Sequence, residues 1–311
     1  VRLSAKDVDL ADFAWNPSSD FSSMFISCMS DGDLGLWEVK DTGLHVIASV
    51  TNALATCVCW SPKGKQVAVG KVDGTLVQFD HQLKVKKVIP GPTGMSGDPV
   101  KVLDLLWQST HVFMAAYVPQ DPSNTEPPCL VLISVPKGEE PKHMNYEDVC
   151  YGGAEDRKHR YYFLSLAEWD MVVTSSASAA ESAILGHNCQ TSLWERWSLD
   201  DSGRAEMPLT DDHMETYPLG IALDFTQQEE ILISDTQKHP PSPLFLALST
   251  DGVLLVYHMI NQQPNAKSLN VPVQMLSSQG ERKCPGQPVS AQTTAPAAPA
   301  PKMASTEPPK F

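Results

Sequence analysis

Seven cysteines, nine histidines and 37 acidic side chains give this 311-residue chain the raw material for metal binding, nucleophilic attack or acid–base chemistry. Spacing decides which of these it can do. Cys57 and Cys59 form a C-x-C pair inside an apolar, strand-like run, so both sulfurs point to one face. A structural zinc needs two further ligands, and neither a second Cys pair nor a His-x-x-x-His accompanies them. They are read as buried structural cysteines. The glycine-rich stretch 91–98 lacks the Gly-Lys-Ser/Thr ending of a phosphate loop, and Asp98-Pro99 leads into a β segment rather than a helix. It is read as a connecting loop. The histidines are dispersed, with only His239 in an obvious loop, and no G-x-S-x-G elbow positions a nucleophilic serine. Glu139-Glu140 and Glu229-Glu230 sit in turns, where a solvated charge is the default. No catalytic constellation, metal site or cofactor site emerges, which favours a binding module over an enzyme.

One segment stands out from that background. Between positions 200 and 215 lie six carboxylates (Asp200, Asp201, Glu206, Asp211, Asp212, Glu215) and one arginine, Arg204, a net of −5. Met207, Leu209 and Met214 are interleaved with the charge. Connections longer than about 12–15 residues without structure are uncommon and are functional or disordered. Carboxylates that steer and apolar groups that anchor are what a protein-binding loop combines. The residues alone leave two readings, such a loop or a mobile solvated one.

The elements that must hold this segment are strands. Ala14-Trp15-Asn16-Pro17 is echoed by Cys59-Trp60-Ser61-Pro62, about 45 residues on. After each comes an apolar run (Met24 to Cys28; Gln66 to Gly70), an Asp-Gly pair (Asp31-Gly32; Asp73-Gly74) and another strand-like run. In the second unit Val58 and Trp60 share a face, as do Val67 and Val69, and Val77 and Phe79. Ser61-Pro62-Lys63-Gly64 reads as a turn, and Asp73-Gly74 as the pair a type I′ hairpin prefers. Weaker units follow over 100–135, 161–199 and 219–258, the last with strands at 221–225, 231–233, 244–248 and 253–257. A period of about 40–45 residues with several short strands per unit is the signature of propeller blades. The acidic segment then falls between the outer strand of one blade and the inner strand of the next.

Composition agrees. Charged residues are 19% and prolines number 25, which with abundant Val, Ile, Leu and Thr argues for β structure. With 23 basic and 37 acidic residues the net charge is −14. Such a surface repels phosphate, so broad binding to nucleic acid or anionic lipid is not expected, and a basic partner is. No apolar run approaches the roughly 18 residues of a membrane helix. The odd, scattered cysteines and the lack of an N-x-S/T sequon favour a reducing compartment. The chain opens at Val1 on residues that already read as a domain body, so an upstream portion is expected. From Pro285 the composition turns to Pro, Ala, Thr, Ser and Gln, with seven prolines in the last 27 positions, and reads as a disordered linker to further protein.

These strings resemble a known family. The run from Cys57 to Lys71 is similar to the N-terminal β-propeller of the FG nucleoporin CAN, the 214 kDa nucleoporin on the cytoplasmic side of the nuclear pore. The likeness continues through Lys86 to Pro90, Val102 to Trp107, Cys150-Tyr151-Gly152, Glu168-Trp169-Asp170, Arg204-Ala205-Glu206, Leu248 to Leu254 and Met259 to Gln262. It covers nearly all of residues 7–284. The resemblance implies a seven-bladed domain, of which about five blades are present, and a coiled-coil region and FG repeats outside this chain. It also implies a partner: a DEAD-box RNA helicase, whose basic RNA-binding face docks on an acidic inter-blade loop in competition with RNA. Carried onto this sequence, that loop is 197–218, with Arg204, Glu206, Leu209, Thr210, Asp211, Asp212 and Glu215 as contacts.

The expectation is therefore an all-β, WD40-like β-propeller: a partial propeller over 1–260, an extension packing near it over 261–284, and a disordered tail over 285–311. Its expected role is a non-enzymatic nuclear pore adaptor for mRNA export, on the cytoplasmic face, without cofactor. The alternatives are a WD40-type scaffold in another assembly, or an enzyme using the central channel. The enzyme would need polar residues at inner-strand positions, which instead carry Leu103, Leu105, Ile221 and Leu223.

Overall fold

Strands with apolar side chains on both faces must be covered on both faces, and stacked sheets achieve this. The computed structural model describes residues 3–4, 6–121, 126–146, 149–150, 157–263 and 266–273. They form successive antiparallel sheets in chain order. Blade 1 is β1 (Leu10–Trp15), β2 (Met24–Met29), β3 (Leu34–Lys40) and β4 (Gly43–Val50). Blade 2 is β5 (Ala55–Trp60), β6 (Val67–Lys71), β7 (Leu76–Phe79) and β8 (Val85–Ile89). Blade 3 is β9 (Val100–Ser109), β10 (Val112–Pro119), β11 (Cys129–Ser134) and β12 (Lys142–Asn145). Blade 4 is β13 (Tyr161–Leu166), β14 (Met171–Ser176), β15 (Ala183–Asn188) and β16 (Leu193–Trp197). Blade 5 starts at β17 (Pro218–Asp224), and the inner strands β1, β5, β9, β13 and β17 succeed one another side by side. This is the five-blade propeller arrangement expected from the repeats. Among the described residues the only helical elements are three short 3-10 turns, and no helix is long and apolar enough to cross a membrane.

Alternation splits each blade between two cores. In β5 the side chains of Val58 and Trp60 join the cluster shared with blade 1, while Cys57 on the other face joins the cluster shared with blade 3. Val67, Val69, Val77 and Phe79 follow the first pair, and Ala68 and Leu76 the second. Further clusters fill the seams between blades 3 and 4 and between blades 4 and 5. Polar ties cross the seams too. The Trp60 indole donates to the Ala14 carbonyl at 2.9 Å, and the Val58 amide donates to the Asp12 carboxylate at 2.8 Å.

Two expectations are corrected. The Asp-Gly turns are not type I′, because Gly32, Gly74 and Gly252 take positive φ while the aspartates before them do not. Each glycine amide instead donates to the carbonyl three residues back, Met29, Lys71 and Ser249, a type I turn that ends on a left-handed glycine. The apolar triplet at 231–233 is not a strand of blade 5. β17 pairs directly with β20 (Leu244–Ser249), which pairs with β21 (Leu254–His258), whereas β18 (Ile231–Leu232) pairs only with β19 (Lys238–His239) in a separate hairpin. Flanked by Gln227 to Glu230, it is too short and too polar at its ends to enter the sheet, and Leu232 is exposed.

Residues 266–273 lie against the propeller: the Val271 amide donates to Phe225 at 2.8 Å, the Trp169 indole donates to the Lys267 carbonyl at 2.8 Å, and Leu269 packs on the blade 4–5 core. The proline-rich tail at 285–311, and Tyr151 and Gly152, fall outside the described residues.

Candidate functional site: the acidic crossover

The segment between β16 and β17 is built, not slack. Its first half is tied to blade 4. The Ser182 amide donates to Ala205 at 3.0 Å and the Met207 amide to Ala180 at 2.7 Å, with Glu181 and Glu206 bridged in antiparallel fashion. Met207 is only 6% exposed and belongs to the blade 4–5 core, which pins the chain just before the acidic stretch.

Beyond Met207 the chain makes a small hairpin. Leu209 bridges Glu215, and the Thr210 amide donates to Met214 at 2.9 Å. The His213 amide donates back to Thr210 at 2.9 Å, with His213 in the left-handed region at φ 60. The Thr210 hydroxyl also accepts from the Met214 amide at 3.1 Å, and the Thr216 hydroxyl donates to Pro208 at 2.5 Å. Asp211 and Asp212 occupy the exposed apex. Leu209 and Met214, 56% and 65% exposed, flank it as open apolar groups. At the base, Glu215 accepts from the Tyr217 hydroxyl at 2.8 Å, and the Arg157 guanidinium lies 5.7 Å from the Tyr217 ring centre.

The seven expected contact residues therefore divide by setting. Arg204 lies between Asp201 at 3.2 Å and Glu206 at 3.7 Å in exposed ion pairs. Asp211 and Asp212 form no ion pair among the described residues. Leu209, Glu206 and Glu215 line a cleft of about 450 Å³ beside Arg204 and Trp197. Nothing in this arrangement is a nucleophile–base pair. It is an exposed edge that combines charged and apolar groups.

Two clusters escaped the sequence reading. The first is at the axis, where Leu103 does line a cleft of about 330 Å³ but shares it with Asp12, Asp104, Thr56 and Arg160. Leu105 turns away into the blade 2–3 core. Burial pushes the Asp12 carboxyl up to about 6, and raises Asp104 well above the carboxylate range. The signal was aspartate inside an apolar strand, where it is disfavoured. The second cluster, Asp170, His187 and Cys189, lies at a turn of blade 4. Cys57 is buried as expected and Cys59 is half-buried, and desolvation raises both thiols far above their ordinary range. Cys28, Cys57, Cys59, Cys150 and Cys189 are free thiols.

The stacked four-stranded sheets and their rim loops define a WD40-type β-propeller. A solved WD40 domain from Toxoplasma gondii coronin shares the fold at TM-score 0.55 and 14% identity, over 85% of this chain and 58% of that one. The NUP159/214 beta propeller family model matches residues 1–263, and the chain belongs to that family. Nuclear pore complex protein Nup214 of Homo sapiens is 44% identical over 283 residues, which is 88% of this chain and 13% of that protein. The Drosophila melanogaster Nup214 is 32% identical over 276 residues, 88% of this chain and 16% of that protein. The chain thus spans a small part of these relatives. A chain of the solved S. cerevisiae complex of a dbp5 variant bound to nup159, a gle1 variant, IP6 and ADP has the same fold. Its TM-score is 0.56 at 17% identity, over 76% of this chain and 62% of that one.

Proposed function

We propose that this propeller is a non-enzymatic docking module of the nuclear pore complex, on its cytoplasmic face, that holds a DEAD-box RNA helicase during mRNA export. The observation that carries this reading is the hairpin apex: Asp211 and Asp212, without ion-pair partners among the described residues, between exposed Leu209 and Met214 on a core-anchored stem. Clustered carboxylates imitate a phosphate chain, so the face they fit is one that otherwise holds RNA. Helicase bound here and helicase bound to RNA then exclude each other. The net charge of −14 supports the same polarity, since it speeds encounter with a basic surface and repels nucleic acid itself. The dbp5–nup159 complex in a relative's family makes a helicase the partner class to test first.

The test is binding of the purified cognate helicase to the full chain. Replacing Asp211, Asp212 and Glu215 together by Lys is expected to weaken binding roughly ten-fold or more, and raising salt to weaken the wild type alone. Added single-stranded RNA should compete. Unchanged affinity in the triple variant overturns the assignment of this hairpin.

A further inference from the structure

We propose that Asp170, His187 and Cys189 form a binding site for one zinc ion on the rim of blade 4 opposite the acidic hairpin. The sheet geometry itself brings the three donors together. β14 and β15 are antiparallel with Met171 facing Gly186, so the next pair outward is Asp170 and His187, and the His187 amide donates to the Asp170 carbonyl at 2.8 Å. Residues directly opposite across such a pair project from the same face. Cys189 follows in the turn just past the end of β15, and that turn returns its sulfur to the other two donors. One ligand atom from each of the three lies within 4.8 Å of the others, and the Cys189 sulfur is 3.9 Å from the Asp170 Oδ2.

Each donor is also held from behind. Asp170 sits in the left-handed region at φ 47, closing a 3-10 turn through its amide to Ala167 at 3.2 Å. The His187 ring packs on Trp194 at 5.4 Å between centroids. Asn188 points the other way, accepting from the Gln190 amide at 2.9 Å and donating to Glu195 at 3.1 Å, which fixes the turn that carries Cys189. Zinc bonds of about 2.0–2.3 Å place tetrahedral ligands roughly 3.3–3.6 Å apart, so small side-chain rotations close the site. A thiolate with an imidazole selects zinc, cobalt or copper over magnesium and calcium, and the thiol proton passes to solvent on binding. Three protein ligands leave a fourth position for water or a partner's side chain.

Strand polarity separates this site from the proposed helicase contact. The β13–β14 and β15–β16 turns share one rim, whereas β16 delivers the acidic crossover to the other. The two proposals therefore fail independently.

The test is titration of the full, metal-free, reduced chain with Co²⁺ and then Zn²⁺. The expected result is one Co²⁺ per chain with a thiolate-to-cobalt charge-transfer band, displaced by Zn²⁺ but not by Mg²⁺ or Ca²⁺. Cys189→Ser should abolish the band, and His187→Ala or Asp170→Asn should weaken Zn²⁺ binding by at least ~10-fold. Cys284→Ser should leave binding intact. Circular dichroism of the variants checks that these surface changes leave the fold in place, and helicase affinity should not change. Lack of saturable binding, or binding indifferent to Cys189→Ser and His187→Ala, overturns the site.

Discussion

The hydroxyl of Tyr257, on β21, donates a 2.8 Å hydrogen bond to the main-chain oxygen of Glu206, 51 residues earlier. Blade 5 thereby clasps the crossover that leaves blade 4, just ahead of the acidic hairpin. A neutral hydrogen bond of this kind contributes about 1 kcal/mol, equivalent to roughly five-fold in an equilibrium constant. Tyr257→Phe is expected to weaken helicase binding by up to that factor, because the hairpin loses a support rather than a contact. Thermal unfolding should change little, since Tyr257 is half-buried and its ring still stacks on Phe245. Parallel binding and melting curves separate the two effects.

Apolar groups on the hairpin have opposite roles according to burial. Leu209 and Met214 are open, so Leu209→Ala and Met214→Ala should each cost about 1 kcal/mol or more of binding while leaving stability within about 0.5 kcal/mol. Met207 is sealed in the blade 4–5 core, so Met207→Ala should lose about 2–4 kcal/mol of stability. Urea unfolding alongside affinity measurement distinguishes them. A pattern in which Met207 alone affected binding would make the hairpin a structural strut.

How far these features can be read from residues depends on whether they are local. The two-faced burial of β5 and β6 was legible, because a period of two with apolar residues on both faces has few other solutions. The glycines of the Asp-Gly turns announced a left-handed residue, but not which turn type would use it. Ile231-Leu232-Ile233 looked like a blade strand because propensity ignores the partner, and its partner is its own neighbour β19. The charge of the crossover was evident, yet its hairpin was hidden, since His213 takes the left-handed position without glycine to signal it. Asp12, Asp104 and the Asp170 cluster meet only through register and blade stacking, which no short string of residues encodes.

A glycine guards the root of the crossover. Gly186 on β15 faces the indole of Trp197, the last residue of β16, and a Cβ there would fall within the ring. Gly35 does the same for Trp37 in blade 1. Gly186→Ala must push Trp197 off its seat, at a cost of about 1–3 kcal/mol. Because Trp197 leads directly into the crossover, helicase binding should fall together with the denaturation midpoint. An unchanged midpoint would mean that the ring relocates freely.

The axial carboxylates set a pH dependence whose sign can be worked out. A carboxyl whose pKa is raised by folding binds its proton more tightly in the folded state, so it favours folding at low pH and loses that contribution as pH rises through the folded value. For Asp12 that window runs from the ordinary carboxylate range up to about 6, and for Asp104 it reaches well above that ordinary range, both driven by burial, with Asp12 charge adding to the rise at Asp104. Asp31, held low by Lys6, acts oppositely and only in acid. His159, lowered by burial, opposes Asp12 between the ordinary histidine value and its own, so the raw pH profile mixes signs. A difference between variants isolates the axis. Asp104→Asn keeps an oxygen to accept from the Leu105 amide, a 2.7 Å bond in the wild type, while removing the charge. It should stabilise more at about pH 8 than at about pH 5 in urea unfolding, because the charge that burial penalises is present only at the higher pH values. A gain of equal size at both pH values would show that shape, not buried charge, controls the cleft between Asp12, Asp104 and Arg160.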